Sequence, residues 1–371
     1  MNKNIRNMIF HIPIKIDINW YSGSQIRPQK MIQAFKEIGY NVELVMGCIK
    51  ERKVQINQIK QNISNGIKYE FLYSETSTMP TALTESHHLP VSPFFDFDFL
   101  RYCKSYDIKI GLYYRDIYWK LESYKNEVPF FKRKLAEFFY NYDLTQYKEF
   151  VDIFYVPSLE MYEFMKYNFS NKVISLPPGI DEKENYSDIK ISSDTLDFIY
   201  VGGTGENYNL ELFLSVISDL KKVNFTLCTR EKEWLFNYDK YSNILNNTTV
   251  YHKSGSELDK LYNNSDIAIY FIQPNLFGSF ALGLKLFEYM SNLKPIIAVK
   301  GTAIGNFVKK YDIGWVIDYS KNDLNNLITE LIHNKDDIKN KILNIQKILP
   351  NNTWNARALQ VKKELTSFIN E

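Results

Sequence analysis

The chain has 371 residues, which is enough for two domains that each bury a core of their own. Its 45 basic and 43 acidic residues nearly balance, which argues against a dedicated nucleic-acid-binding protein, because such proteins neutralise many phosphates. With 45% apolar and 15% aromatic residues, the composition also excludes a disordered acidic chain.

The cysteines and the apolar runs indicate the cellular compartment. Cys48, Cys103 and Cys228 lie far apart, a spacing that disfavours a disulfide framework or a cysteine zinc site and fits a reducing cytosol. No run reaches the ~18 apolar residues of a membrane-spanning helix. Near the N-terminus, His11 and Pro13 interrupt the run that a signal peptide would need. We therefore expect a cytoplasmic protein, with peripheral contact at the inner membrane surface left open.

Strand-length apolar runs alternate with helical patterns in the first half of the chain, which is typical of a βαβ chain with a parallel sheet. The predicted strands are residues 8–18, 42–46, 108–114, 151–156 and 173–176. A loop is predicted at 20–24, and helices are predicted at 27–38 and 158–167. Gly39 ends the first of these helices, as glycine often does just past a helix terminus.

A polar, charged segment at 180–195 is interpreted as a linker, after which the α/β alternation starts again. Strands are predicted at 196–201, 224–228, 267–271 and 295–299. Helices are predicted at 208–220, 257–263, 282–291 and 353–368, with Thr353 as the N-cap of the last. The pattern thus predicts two successive α/β units.

Ligands of open parallel sheets bind beyond the carboxyl ends of the strands, so the loops after strands are the first places to search. Gly202-Gly203-Thr204-Gly205 lies directly between a predicted strand and a predicted helix. Backbone N–H groups at such a junction can bind a phosphate. It is not a dinucleotide fingerprint, because Tyr208 stands where the third glycine would be. A tight turn that needs glycine remains an equal alternative.

The most specific local pattern is segment 283–290, which reads GLKLFEYM. On a helix, Lys285 and Glu288 share one face because they stand three residues apart. The ammonium could bind a phosphate, and the carboxylate could accept hydrogen bonds from ribose hydroxyls. The spacing alone favours the simpler alternative of a solvated ion pair.

Several motifs together resemble the GT-B glycosyltransferases, especially the family-4-like enzymes of bacterial surface polysaccharides. GLKLFEYM before the KPII strand is similar to the donor-site helix of that family, which reverses the preference for a solvated pair. Further motifs agree in order and placement: Ser22-Gly23-Ser24 with Arg27, Tyr114-Arg115-Asp116-Ile117-Tyr118-Trp119, Val156-Pro157-Ser158, Leu176-Pro177-Pro178-Gly179-Ile180-Asp181 and Val201-Gly202-Gly203.

The resemblance implies two Rossmann-like domains facing across a cleft. Residues 1–178 would form the acceptor-binding domain, and residues 179–352 would form the nucleotide-sugar-binding domain. The C-terminal helix, 353–371, would pack back on the first domain. Gly203, Thr204, Lys285 and Arg230 would stabilise the leaving diphosphate, Glu288 would bind the ribose and His252 would lie in the base-binding loop. Gly23, Ser24, Arg27 and Trp119 would lie on the acceptor side.

Two departures from the family pattern leave the donor sugar and the stereochemical outcome open. Retaining members usually carry a second glutamate eight residues before the ribose-binding one, and here that position is Phe280. The common His-Asp pair of the first domain is here Arg115-Asp116. Asp116 would be the base in an inverting reaction and would orient the acceptor in a retaining one. Capping of its turn, or pairing with Arg115, is the structural alternative.

Three other patterns have a structural and a functional interpretation. For Arg230, a surface pair with Glu231 or Glu233 is as acceptable as a phosphate contact. Asp96-Phe97-Asp98 matches the metal motif of GT-A transferases, but it opens a predicted helix, where acidic residues favour the helix dipole. His87-His88 with Glu85 suits solvent contact or a cleft better than a metal. No metal ion is therefore expected.

Segment 130–140 combines aromatic and basic residues on a predicted helix. Such a face can rest on anionic lipid headgroups, but packing of an aromatic stripe in the core is the favoured interpretation.

The function expected from the resemblance is metal-independent transfer of a hexose-type sugar, with no separate cofactor. The donor would be a nucleotide-diphosphate sugar, UDP-sugar in the first place, and the acceptor a glycan or lipid-linked glycan of a bacterial surface polysaccharide. A nucleotide-sugar epimerase of the same architecture and a non-catalytic glycan-binding subunit are the alternatives. Nucleic acid is not an expected partner.

Overall fold

The computed structural model describes residues 6–17, 23–181 and 195–367. The chain divides into two compact units: unit 1 is Met1–Gly179 with Trp354–Glu371, and unit 2 is Ile180–Thr353. Each unit contains a six-stranded parallel sheet and helices. The predicted α/β class with two Rossmann-like domains is confirmed. Within the described ranges, every helix is too short or too polar to cross a membrane.

In unit 1 the strand order is β2-β1-β3-β4-β5-β6. The strands are β1 (Arg6–Ile12), β2 (Tyr40–Met46), β3 (Tyr69–Glu75), β4 (Lys109–Tyr113), β5 (Ile153–Val156) and β6 (Lys172–Ser175). The helices are α1 (Gly23–Glu37), α2 (Ile49–Ser64), α3 (Phe95–Ser105), α4 (Glu122–Glu127), α5 (Phe130–Phe150) and α6 (Leu159–Met165).

Unit 1 differs from the sequence-based expectation in the bounds of two elements and in the presence of three others. β1 ends at Ile12 instead of residue 18, because Pro13 has no N–H to continue the strand ladder. Helix α1 begins at Gly23, inside the expected loop 20–24, of which residues 20–22 lie outside the described part. The elements α2, β3 and α4 had not been predicted. α2 is mostly polar, and β3 mixes polar with apolar residues although it lies inside the sheet.

In unit 2 the strand order is β12-β11-β10-β7-β8-β9. The strands are β7 (Leu196–Val201), β8 (Val223–Cys228), β9 (Thr248–Tyr251), β10 (Ile267–Tyr270), β11 (Ile296–Val299) and β12 (Gly314–Ile317). The helices are α7 (Glu211–Ile217), α8 (Glu231–Tyr241), α9 (Glu257–Asn263), α10 (Leu276–Phe280), α11 (Leu284–Ser291), α12 (Ala303–Tyr311), α13 (Lys321–His333) and α14 (Lys335–Ile348).

The topology of unit 2 fixes where a ligand can bind. β7 lies between β8 and β10, so the chain proceeds outward in one direction through β8 and β9 and in the other through β10 to β12. The carboxyl ends of β7 and β10 therefore flank the switch point of the sheet, where ligands of this topology bind. The loop after β7 is the glycine loop 202–205.

The last helix, α15 (Trp354–Thr366), belongs to unit 1 and contacts α1, β3 and β4. Arg357 Nε donates to the Pro177 carbonyl oxygen at 3.1 Å. A Cβ atom at Gly179 would lie 2.6 Å from the Trp354 backbone nitrogen, so this close approach requires glycine. The expected linker 180–195 lies outside the described residues between 182 and 194.

Candidate functional site

In unit 2, Lys285 lies against the glycine loop. Its Nζ donates to Tyr200 Oη at 3.0 Å and lies 4.0 Å from the centre of the Tyr208 ring. Tyr200 Oη in turn donates to the Gly203 carbonyl oxygen at 2.8 Å. A Cβ atom at Gly202 would lie 1.8 Å from Nζ, so only glycine at this position leaves room for the ammonium. The first turn of α11 thus delivers a cation to the carboxyl end of β7.

Opposing effects determine the pKa of Lys285, and hence its charge. Burial lowers the pKa of Lys285 to about 7, while the carboxylates of Glu233 and Glu288 oppose this shift and Arg230 adds to it. The charged groups come from two segments of the chain, 230–233 and 285–288, and Glu233, Glu288 and Arg230 each act on the ammonium. The structure therefore brings two predicted cations and the predicted ribose-binding carboxylate into one cluster.

The backbone of the glycine loop acts as a hydrogen-bond donor, as an anion site requires. The Thr204 and Gly205 N–H groups donate to Glu233 Oε1 at 2.7 Å and 3.0 Å. A Cβ atom at Gly203 would lie 2.6 Å from the same oxygen. The loop N–H groups therefore hold a carboxylate of the protein itself.

The other predicted donor-side residues of unit 2 are placed as follows. Glu288 is half-buried on α11, and its charge adds to the effect of burial in raising the pKa of Tyr262 well above its ordinary value. Arg230 is exposed at the start of α8. His252 is exposed after β9, and its Nδ1 donates to the Thr229 carbonyl oxygen at 2.8 Å. Phe280, where the family has a second glutamate, is only 2% exposed at the end of α10.

In unit 1, Asp116 follows the carboxyl end of β4. Its Oδ1 accepts a hydrogen bond from the Tyr118 N–H at 3.2 Å, so the carboxylate caps its own turn. Burial raises the pKa of Asp116, although the Tyr118 N–H and the Arg115 charge partly oppose the shift. The Asp116 carboxylate therefore takes up a proton at a higher pH than an ordinary aspartate does.

Arg27 and Arg115 share one buried partner, Glu75. Arg27 Nε lies 3.3 Å from Glu75 Oε1, and Arg115 Nη2 lies 3.1 Å from Glu75 Oε2. Arg27 is 3% exposed and also stacks on the Tyr113 ring. Arg27 is thus used in packing, whereas Arg115 anchors the segment that carries Asp116.

The other predicted acceptor-side residues are placed as follows. Trp119 is buried, stacks on Tyr140 with ring centres 4.8 Å apart, and donates from Nε1 to Tyr114 Oη. It is therefore not exposed for acceptor contact. Gly23 and Ser24 are the first two residues of α1, and their side-chain positions lie outside the described part.

The two motifs that resembled metal sites have structural roles. Asp96 lies in the first turn of α3, as expected, and its carboxylate binds Arg52 Nε at 2.9 Å and His11 Nε2 at 3.0 Å. His88 Nδ1 donates to the Leu83 carbonyl oxygen, and the His87 Nδ1 atom accepts from the Leu89 N–H. Across the described residues, no three His, Cys, Asp or Glu side chains are grouped so that they could hold a metal ion.

The expectation of core packing in segment 130–140 is wrong for three of its four phenylalanines. Phe130, Phe131 and Phe138 are 57%, 85% and 63% exposed, whereas Phe139 is only 8% exposed. Only one face of α5 is buried. In this segment that face contains residues 136, 139 and 140, so the residues on the opposite face are in solvent.

Comparisons with known proteins agree with this architecture. Sucrose-phosphate synthase from Thermosynechococcus elongatus has a TM-score of 0.65 at 12% identity, over 98% of this chain and 100% of that chain. HepE of Anabaena, in complex with UDP, has a TM-score of 0.64 at 9% identity, over 98% and 100%. WaaG, a glycosyltransferase involved in lipopolysaccharide biosynthesis, has a TM-score of 0.58 at 11% identity, over 96% and 99%.

These likenesses show the GT-B fold that the sequence analysis predicted. The family model of the glycosyl transferases group 1 matches residues 181–347, in unit 2. No curated protein matches the sequence. The match of the family model supports the predicted glycosyltransferase class at a general level.

Three residues of the cluster were not predicted as site residues: Tyr200, Tyr208 and Glu233. The two tyrosines flank the ammonium, and Glu233 had been considered only as a surface partner of Arg230. The run of glycines after β7 was the available signal, because such a run indicates that another group approaches the backbone closely.

Proposed function

We propose that this protein transfers a hexose-type sugar from a nucleotide-diphosphate sugar to a glycan or lipid-linked glycan acceptor in the synthesis of a bacterial surface polysaccharide. The observation that carries the proposal is the position of Lys285, which Tyr200 holds beside the backbone donors of loop 202–205. One turn further along α11, Glu288 supplies a carboxylate suited to ribose hydroxyls.

The residues of unit 2 would stabilise the departing diphosphate without a metal ion. The Lys285 ammonium, the Arg230 guanidinium and the loop N–H groups are all donors, and negative charge develops on the diphosphate as the sugar leaves. At His252, the carbonyl partner can only accept, so Nδ1 carries the proton and Nε2 is the acceptor available to a nucleotide base.

Asp116 would act on the acceptor. If the reaction inverts the anomeric centre, the carboxylate takes the proton from the attacking hydroxyl, and the raised pKa of Asp116 suits that task. If the reaction retains the configuration, Asp116 orients the hydroxyl instead. In either case Arg115, anchored on Glu75, keeps the turn in place.

UDP is the first nucleotide to test, because HepE, which has the same fold, was solved with UDP. We expect UDP to raise the melting temperature of the protein more than GDP, CMP or dTDP, since a ligand that binds only the native state stabilises it. We also expect sugar transfer to survive EDTA. Activity that disappears in EDTA and returns with Mn²⁺ would contradict the metal-independent mechanism.

The assay of sugar transfer also distinguishes a transferase from the two alternative functions, an epimerase and a non-catalytic subunit. An epimerase would isomerise the nucleotide sugar when no acceptor is present, whereas a transferase would leave it intact apart from slow hydrolysis. A non-catalytic subunit would bind glycan in a saturable way and release no nucleoside diphosphate.

We further propose that α5 rests on an anionic lipid surface. The exposed Phe131 and Phe138 stand seven residues apart and so share one face of the helix, and the neighbouring basic residues are Lys132, Arg133 and Lys134. Apolar side chains beside basic ones are suited to the interface between headgroups and acyl chains.

Replacing Phe131 and Phe138 together with serine is expected to reduce binding to vesicles that contain phosphatidylglycerol at least ~10-fold, because burying one phenylalanine is worth about 1.5–3 kcal/mol. Vesicle co-sedimentation measures the effect. The matched control is Phe236→Ser on α8 of unit 2, where the side chain is 88% exposed. Equal binding by the double variant and the wild type would refute the contact.

A further inference from the structure

The glycine loop of unit 2 already holds an anion that belongs to the protein. Glu233 Oε1 accepts both loop N–H groups, from Thr204 at 2.7 Å and from Gly205 at 3.0 Å. The absence of a side chain at Gly203 is what admits the carboxylate, since a Cβ atom there would lie 2.6 Å from Oε1. A phosphate oxygen bound to this loop would need the same two donors.

Glu233 and a bound phosphate cannot use the loop together. Both are anions, and placing one beside the other would disfavour the charged form of each. The Glu233 carboxylate also acts on Lys285, where it favours the protonated ammonium. A phosphate in its place would make the same electrostatic contact. Lys285 would therefore have a negatively charged partner both before and after a phosphate replaces Glu233.

The position of Glu233 allows it to leave. It lies in the first turn of α8, between Lys232, which is exposed, and Trp234, which is 6% exposed and anchors the helix. Glu233 itself is half-buried, so rotation of its side chain can bring the carboxylate into water while Trp234 holds α8 in place.

The loop also contains an unsatisfied group that a ligand could complete. Thr204 is 1% exposed, and among the described residues its Oγ1 has no hydrogen-bond partner. Buried hydroxyls almost always have a partner, so one without a partner beside an anion cradle is consistent with a site that a ligand completes.

We propose that Glu233 is an internal competitor of the donor diphosphate, which leaves loop 202–205 when the donor binds and returns when the nucleoside diphosphate product departs. This inference rests on the proposed function, because it assumes that the loop binds a diphosphate. The carboxylate lowers donor affinity, and in exchange it displaces the product from the loop after each turnover.

The test is calorimetric titration of the full-length protein with UDP. Glu233→Gln keeps an oxygen acceptor but removes its charge, and a neutral acceptor holds the two N–H groups about half as strongly. We expect this variant to bind UDP at least ~10-fold more tightly than the wild type. The matched control is Glu231→Gln, two residues earlier on α8, where the carboxylate is exposed and the same charge is removed.

The outcomes are distinct. Tighter binding by Glu233→Gln alone supports the competitor role. Equal or weaker binding overturns it, and so does equal tightening by both variants, which would be a general charge effect. Glu233→Asp, whose shorter side chain retreats from the loop but keeps the charge, should also tighten binding, and melting curves establish that each variant is folded.

Failure of the proposed function would look different. It would appear as a wild type that does not bind UDP, or as binding that Lys285→Met leaves unchanged. Inorganic diphosphate, which needs only the loop and the ammonium, is therefore titrated in parallel. A wild type that binds neither compound overturns both proposals, whereas binding that depends on Lys285 but not on Glu233 overturns only the competitor role.

Discussion

We expect Lys285→Ala to lower the turnover of sugar transfer at least ~100-fold, which is typical of the loss of a pre-organised electrostatic stabiliser. The ammonium is held by Tyr200 and Tyr208 beside the glycine loop, so the diphosphate would lose a pre-positioned cation as its negative charge increases. The measurement is kcat for release of nucleoside diphosphate in the presence of acceptor.

Two further variants separate charge from packing. Lys285→Met keeps a chain of similar length between the two tyrosine rings, so its activity should fall as far as that of the alanine variant if charge is what matters. Lys300→Ala, which removes an exposed lysine of the same unit, should change the rate less than ~2-fold. Full activity in Lys285→Met would remove this residue from its assigned role.

The pH dependence of donor binding provides an independent readout of the same residue. Burial lowers the pKa of Lys285 to about 7, and a bound diphosphate favours the protonated form. Binding therefore takes up a proton above that pH, and affinity for the nucleotide sugar should fall by up to ~10-fold per pH unit as pH rises past about 7. In Lys285→Met the same surrounding charges remain, but this slope should disappear.

Asp116→Ala is expected to reduce turnover at least ~100-fold, whether the carboxylate acts as a base or orients the acceptor. Asp116→Asn distinguishes the two roles, because the amide oxygen can still accept the Tyr118 N–H and keep the turn intact. A base would lose as much activity in this variant as in alanine, whereas an orienting residue would retain most of it and change mainly KM. Asp98→Ala, at an exposed position on α3, is the control.

The pH–rate profile should change in a defined direction. Because burial raises the pKa of Asp116, the unprotonated carboxylate disappears at a higher pH than it would for an ordinary aspartate. Under the base mechanism, the acid limb of kcat should therefore lie at a higher pH than an ordinary aspartate would give, and it should vanish in Asp116→Asn. Wild-type activity in the alanine variant would show that the turn-capping hydrogen bond is the whole role of this residue.

Local sequence patterns were sufficient to predict the α/β fold class. The strands β7 and β10 and the helix α9 were predicted at or within one residue of their observed bounds, because apolar runs and helical periodicity are properties of neighbouring residues. The glycine loop and GLKLFEYM could be recognised for the same reason. α13 shows that more was available: Leu324, Leu327, Ile328 and Leu331 follow helical spacing, yet no element was predicted there.

The predictions that failed concern side chains whose burial depends on residues distant in the sequence. Arg27 was expected to face the acceptor, but it is buried against Glu75, which is 48 residues away and comes from a strand that was not predicted. Phe131 and Phe139 have the same side chain, and only the packing of α5 decides that one is exposed and the other buried. Residue type alone does not specify either outcome.

The sequence by itself therefore determined the alternation of strands and helices, the positions of the loops that follow the strands, and the cation–carboxylate pair on α11. Only the tertiary structure decided which groups meet there. The contacts of Lys285 with Tyr200, 85 residues away, and of Glu233 with Thr204, 29 residues away, follow from the order of strands in the sheet. That order is fixed by burial of the whole core, which no short segment encodes.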